Sequence, residues 1–188
     1  MKTRAEIEIL VASLLSRHNV QKPPVPVKDI ATLEGLHVVQ THLSGGVSGA
    51  LIGSNGASVI AVNESHHPNR QRFTIGHELA HHFLIHGAEQ EHLDWQFTVL
   101  RRDGKSSEAT DANEIEANFF AASLLMPKDF LRRDVAQLAW FNGEAELGEN
   151  DIRSLARRYE VSQLAMSYRL VSLGLIDPNG PPELRNSN

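Results

Sequence analysis

The chain contains no cysteine. Disulfide bonds and thiolate zinc sites are therefore excluded, and any metal ion would have to be held by histidine, aspartate or glutamate. No apolar run approaches the roughly 18 residues that are needed to cross a bilayer. The apolar start of the chain is interrupted by Glu6 and Glu8, which predicts an amphipathic helix rather than a signal peptide. We therefore expect a soluble, cytoplasmic protein that does not engage a membrane.

An excess of positive charge is also missing, because the formal net charge is −5. This balance argues against nonspecific binding of nucleic acid or of acidic membranes as the main task. Hydrophobic residues make up 41% of the 188 residues, which is enough to bury one core. The length suits one domain, or one domain with a small appendage.

The most informative string is the H-E-x-x-H sequence that contains His77, Glu78 and His81. On an α-helix, histidines at positions i and i+4 lie on one face, so both imidazoles can reach a single Zn²⁺ ion. Glu78 can contact a metal-bound water without ligating the metal, as the general base of a metal-assisted hydrolase does. Pro68 and Gly87 suit the two ends of such a helix, and no proline lies between them. The alternative is a histidine-rich helix that faces solvent.

A second helix is predicted from Glu114 to Met126, where Pro127 ends it. It is apolar on nearly all sides, so we expect it to be buried. Glu114 shares one stripe with Asn118, and a buried carboxylate needs a charge partner, which a zinc ion on the two histidines would provide. The alternative is that Glu114 and Glu116 only complement the positive N-terminus of the helix, and for Glu116 we favour that alternative.

Residues 72–82 and 114–127 together resemble the two motifs of the ImmA/IrrE family of metallo-endopeptidases, and the resemblance extends over about residues 25–176. It implies a zincin-like α+β fold in which a small mixed or antiparallel sheet packs on the H-E-x-x-H helix. It also implies a Zn²⁺ ion, with Mn²⁺ as the alternative in the cell, held by His77, His81 and Glu114. The family often has alanine at the position of Gly76, a difference that should not move the ligands.

The predicted sheet precedes the helix that carries the H-E-x-x-H sequence, which we call the metal helix. The pattern predicts a short helix over residues 27–33 and then a strand over residues 36–43. A hairpin follows, with strands at residues 50–53 and 57–62, because Asn-Gly between them is a strong turn signal. This order of strands and helices is typical of an α+β fold.

We expect residues 1–128 to form the metallopeptidase core, residues 129–178 to form a helical segment packed on it, and residues 179–188 to be a disordered tail. Within the polar stretch before Glu114, residues 106–111 have the composition of a mobile loop that could gate the cleft.

The C-terminal segment resembles a helix-turn-helix, because a helix over residues 151–159 is joined through Glu160 to a second helix capped by Ser162. Its basic residues support DNA binding as a rival function; they are Arg153, Arg157, Arg158 and Arg169. Against this reading, Glu160 occupies the tight turn where glycine is usual.

A bound zinc ion would lower the pKa of its water from about 16 to about 7. Glu78 would then take the proton of that water and pass it to the leaving amine. We expect the substrate to pair with an edge strand at residues 59–63. A further contact to the substrate or transition state is usual, and the candidates are Asn63, His66, His67, Tyr168 and Arg169.

The family resemblance also implies the substrate. It would be a helix-turn-helix transcriptional repressor, whose cleavage releases stress or mobile-element genes. The competing class is a binding module without proteolytic turnover, either a DNA- or protein-binding regulator or a metal sensor.

Overall fold

The computed structural model describes residues 1–44, 46–54, 57–84, 92–94, 108–142 and 147–177. Within these ranges the chain forms seven helices and four strands. In chain order they are α1 (Arg4–Arg17), α2 (Val27–Leu33), β1 (Leu36–Thr41), β2 (Gly49–Ser54), β3 (Ala57–Asn63), α3 (Pro68–Leu84), β4 (His92–Asp94), α4 (Glu108–Leu125), α5 (Lys128–Asn142), α6 (Glu149–Tyr159) and α7 (Gln163–Ser172). None of the helices in these ranges is long and apolar enough to span a membrane.

The strands form one mixed sheet in the order β1-β3-β2-β4. Strand β3 pairs in parallel with β1 and antiparallel with β2, and β2 pairs antiparallel with β4. The prediction of a small mixed or antiparallel sheet is confirmed, and the sheet is mixed. The prediction that residues 59–63 form its edge is wrong. Strand β2, the hairpin partner, pairs with one side of β3, and β1 pairs with the other side. The pairing of β1 with β3 joins residues that are far apart in the chain, so the sequence pattern does not reveal it.

Helix α4 begins at Glu108, well before its predicted start at Glu114. The predicted loop over residues 106–111 is therefore wrong for residues 108–111, which are helical, while residues 106 and 107 lie outside the described ranges. Polar residues open this helix without any apolar periodicity, so the pattern alone placed its start too late. Glu114 and Glu116 consequently lie in the middle of α4, where neither can complement the helix N-terminus.

Helix α3 connects the sheet to the helical part of the fold, because it contacts β2, β3, α2 and α4. The inner face of the sheet contributes Ile60 and Val62, which are both 0% exposed. The helices approach closely at Gly76, where an added Cβ would lie 3.4 Å from the Cα and Cβ atoms of Ala121 on α4. That distance is ordinary van der Waals contact, so the alanine that the family often has would also fit, and the glycine does not displace the ligands.

One hydrophobic cluster runs from α1 through the sheet and α3 to α7. Polar contacts also join α6 and α7 to earlier elements; among them, Arg169 pairs with Glu8, Tyr159 with Asp134, and Arg72 with Glu160. The division of the chain at residue 128 stays a prediction, and the predicted tail at residues 179–188 lies outside the described ranges.

Candidate metal centre

Helix α3 places His77 and His81 one turn apart on its buried face. Each histidine is 1% exposed. Their Nε2 atoms lie 2.9 Å apart, and the two rings meet edge to face with centroids 4.7 Å apart. The i, i+4 spacing therefore aims two imidazole nitrogens at the same point, as the motif predicts.

Glu114 of α4 brings a carboxylate to this point. Its Oε2 lies 3.1 Å from His77 Nε2, and its Oε1 lies 3.5 Å from His81 Nε2. Two atoms that are each 2.0–2.1 Å from one tetrahedral zinc ion lie about 3.3 Å from one another. The donor set of two histidines and one glutamate therefore fits a single metal ion in both chemistry and spacing.

Asn118 orients the first histidine. The Nδ1 atom of His77 lies 3.2 Å from Asn118 Oδ1. Because an amide oxygen can only accept, this contact favours the tautomer that carries its proton on Nδ1. The lone pair of His77 is then on Nε2, which faces the other two donors. Asn118 lies one turn after Glu114, so a single stripe of α4 supplies both a candidate ligand and the group that contacts another candidate, His77. The sequence shows this stripe but does not assign a role to Asn118.

Glu78, the predicted general base, is 0% exposed. It follows His77 on α3 and extends toward β2, where its Oε1 lies 3.5 Å from the position that a Cβ on Gly49 would occupy. The structure thus places a carboxylate in the buried interface beside the donor set without including it in that set.

Glu116 is also buried, at 5% exposure. The interpretation that it complements a helix N-terminus is wrong, because the residue lies in the third turn of α4. It does not belong to the group of converging donors, which consists of His77, His81 and Glu114 among the described residues.

Two of the predicted substrate contacts are engaged within the protein. Asn63 is 3% exposed, and its amide nitrogen donates to the carbonyl oxygens of Leu43 and Val47 at 2.9 and 2.8 Å. Arg169 is 3% exposed and donates to Glu8 Oε1 at 2.7 Å and to the carbonyl oxygen of Met126 at 3.0 Å. These contacts hold the loop before β2 to the end of β3, and hold α7 to α1 and to the connection between α4 and α5. A substrate role for either residue stays a prediction.

The remaining candidates have accessible surface. His67 and Tyr168 are exposed, and His66 is half-buried. Burial lowers the pKa of His66, and the positive charge of Arg70 lowers it further. Both effects favour the neutral form of the His66 ring. All three residues remain predicted substrate contacts.

The basic character of the C-terminal helices is smaller than the sequence suggests. Arg169 is buried against Glu8, and burial lowers the pKa of its guanidinium while Glu8 opposes that shift. Arg158 pairs with Asp134 at 3.1 Å, and Arg153 pairs with Glu149 at 2.6 Å. Among the four arginines that favoured DNA binding, three therefore have carboxylate partners.

The turn between α6 and α7 does not require glycine. Glu160 ends α6 in the left-handed conformation at φ 52°, and its carboxylate pairs with Arg72 Nη1 at 3.2 Å. Arg72 also donates to the carbonyl oxygen of Val25 at 2.9 Å. The ion pair with Arg72 of α3 therefore gives Glu160 a packing role in this turn.

An α+β fold with a buried pair of histidines on an H-E-x-x-H helix, joined by a glutamate from the next long helix, is that of a zincin-like metallopeptidase. The family model of the IrrE N-terminal-like domain, Peptidase_M78, matches residues 31–171. The chain belongs to this family, and the resemblance inferred from its two motifs is confirmed.

Among solved structures, the chain is similar to a Mycobacterium tuberculosis protein that is described as a transcriptional regulator, with a TM-score of 0.61 and 21% sequence identity. The similarity covers 88% of this chain and 46% of that one, so the chain spans about half the length of that regulator. At this identity the likeness concerns the fold alone. No curated protein is similar enough to match.

We expect the purified protein to bind about one divalent ion per chain, as one converging donor set implies. His77→Ala and Glu114→Ala should each abolish this binding, whereas Asn118→Ala should weaken it about 10- to 100-fold, because an orienting partner is lost and the ligands remain. Metal analysis and competition titration measure both effects.

His82→Ala is the matched control, because that ring packs on Phe83 at 5.3 Å and is outside the donor set. Full metal content in Glu114→Ala would assign the third ligand to another residue.

Proposed function

We propose that this protein is a zinc-dependent endopeptidase that works in the cytoplasm on one specific protein, a helix-turn-helix transcriptional repressor. The observation that carries the proposal is the convergence of three metal-binding atoms, contributed by two helices, beside the buried carboxylate of Glu78. Membership in a metallopeptidase family supports the reaction class.

His77, His81 and Glu114 would hold the ion. Zinc supplies Lewis-acid polarisation of a carbonyl group and acidifies a water molecule to a pKa of about 7. Glu78 would accept a proton on its carboxylate and later donate it to the leaving amine. Its burial supports this role, because a carboxylate away from bulk water exchanges its proton with bound groups rather than with solvent.

The exposure of the donors indicates the side from which substrate approaches. The two histidines are almost fully buried, whereas the Glu114 side chain keeps 30% of its surface exposed. Its neighbour Ile115 is 49% exposed. We infer that the cleft opens on this side of α4 and presents an apolar side chain to the substrate beside the metal.

Three observations support a dedicated protein substrate. The first is the family. The second is that a protein described as a transcriptional regulator has a similar fold over 46% of its length. The third is the outer face of α7, where Leu164 and Tyr168 are 54% and 58% exposed one turn apart, and an apolar pair of this kind can contact a folded partner.

The rival function is a DNA-binding regulator or a metal sensor without turnover. The exposed positions of α7, which would be the recognition helix, are Leu164, Tyr168 and Ser172. None of them is basic, and the arginine of this helix is buried. DNA recognition depends on lysine and arginine contacts to phosphates, so the surface of α7 favours a protein partner over an operator.

The test takes as its candidate substrate a helix-turn-helix regulator found encoded beside this gene. Mixing it with the purified protein and Zn²⁺ or Mn²⁺ should produce one discrete cut, which is absent with a chelator and with His81→Ala. Electrophoresis and intact mass give the cut site. If unfolded casein is degraded readily while the regulator stays whole, the dedicated repressor is the wrong substrate. If neither is cut by the metal-loaded protein, the endopeptidase assignment fails.

A further inference from the structure

Gly49 lies where β2 begins, and its α-carbon faces helix α3. A Cβ atom added there would lie 2.2 Å from Thr74 Cγ2, 3.0 Å from the carbonyl oxygen of Ala61 and 3.5 Å from Glu78 Oε1. The first distance is far below any real carbon–carbon contact. The strand can therefore approach α3 this closely only because position 49 has no side chain.

Thr74 cannot turn its methyl group away without losing a hydrogen bond. The residue is 0% exposed, and its Oγ1 donates to the carbonyl oxygen of Arg70 at 3.0 Å. A β-branched side chain has few χ1 states in a helix, and in this one the hydroxyl group points back along α3 while the methyl group points at Gly49. The methyl group and the glycine thus form a matched contact between helix and strand.

Hydrogen bonds to Ser48, directly before β2, also fix the start of that strand. The backbone nitrogen of Asn63 donates to the carbonyl oxygen of Ser48 at 3.0 Å. Arg70 donates to the buried hydroxyl group of Ser48 at 2.8 Å. A side chain at position 49 would therefore displace α3 or break the start of β2, since neither surface has room to yield.

Glu78 stands one turn after Thr74 on the same face of α3 and reaches the same strand. We propose that Gly49 and Thr74 are positioning residues for the Glu78 carboxylate, because their contact sets the separation of β2 and α3 at the point where that carboxylate lies. This inference rests on the proposed function, in which Glu78 moves the proton.

Gly49→Ala tests the contact, and Thr74→Ser is its conservative partner. Serine removes the methyl group that an alanine would strike and keeps the hydroxyl group that bonds to Arg70. We expect Gly49→Ala to lower kcat on the regulator on the order of 100-fold, as small displacements of a catalytic group do. KM and zinc content should change less than kcat, because the added Cβ meets Thr74, Ala61 and Glu78 rather than one of the three donors.

The double variant Gly49→Ala/Thr74→Ser should recover about tenfold or more of the lost kcat. Thermal and urea unfolding give a readout that does not depend on activity: Gly49→Ala should lower the unfolding midpoint strongly in the otherwise wild-type chain and only weakly in a chain that already carries Thr74→Ser. Gly148→Ala is the matched control, since its Cβ would lie 3.6 Å from Asp151 Oδ2 and meet no other group.

A wild-type kcat per folded, zinc-loaded molecule in Gly49→Ala overturns the inference, as does a loss that Thr74→Ser does not relieve. If Gly49→Ala fails to fold, the double variant decides: folding with a kcat near that of Thr74→Ser supports the inference, and folding with the full loss overturns it. A wild-type protein that cuts nothing refutes the proposed function instead, so the two failures are distinguishable.

Discussion

Replacing Glu78 by glutamine is expected to reduce kcat about 100- to 10,000-fold, which is the contribution that a positioned general base usually makes. Glutamine has the shape of glutamate but cannot accept the proton. Because Glu78 is outside the group of converging donors, the variant should still bind one metal ion and unfold at nearly the wild-type temperature. Kinetics on the cleaved regulator, metal analysis and a thermal melt measure the three quantities on one preparation.

Glu78→Asp sharpens this test. Aspartate keeps the carboxylate and withdraws it by one methylene group, so its kcat should lie between those of wild type and Glu78→Gln. A wild-type rate in Glu78→Gln would show that another group moves the proton. A loss of metal in the same variant would show that Glu78 supports the donor set rather than the chemistry.

Replacing Arg169 by methionine is expected to lower the free energy of unfolding by about 3 kcal/mol, because the change leaves the Glu8 carboxylate without its cation in a mostly buried place. The pair is close, at 2.7 Å, with the two side chains 2% and 22% exposed. For a chain of this length, that loss corresponds to a decrease in Tm of about 6–12 °C. Urea unfolding monitored by circular dichroism gives the free energy.

A second substitution distinguishes this structural role from the predicted contact with substrate. Glu8→Gln removes the charge and keeps an oxygen for Ser123, which donates to Glu8 at 3.2 Å, so the double variant should regain much of the lost stability. Arg157→Met, on an exposed position of α6, is the matched control and should change stability by less than about 0.5 kcal/mol. Unchanged stability in Arg169→Met together with a large loss of kcat would instead make Arg169 a catalytic residue.

Both variants concern residues whose chemistry is visible in the sequence but whose surroundings are not. Glu78 could be assigned from its place in a five-residue motif, because the side chains that share a helix face depend only on helical periodicity. Arg169 looked like a surface cation beside three other arginines. Its partner Glu8 lies at the opposite end of the chain, and no local pattern predicts that pairing.

The same distinction applies to the fold. The sequence was sufficient to locate α2, the metal helix, the hairpin strands and the capped helix α7, since each depends on nearby residues: apolar periodicity, an Asn-Gly turn or the Ser162 cap. The sequence was also sufficient to identify Glu114 as a candidate ligand, because the two motifs were considered together. It did not show that α4 begins earlier, because polar residues can open a helix without an apolar stripe.

The tertiary structure decided what depends on residues far apart in the chain. It placed β3 inside the sheet, made Asn118 the group that orients His77, and set Gly49 against Thr74 beside the Glu78 carboxylate. Residue type and local spacing determine which metal-binding groups and bases a helix can present, and both can be read from consecutive residues of the sequence. The separation of that helix from a strand and from a second helix depends on close packing of side chains brought together by folding, so only the folded chain shows which atoms meet.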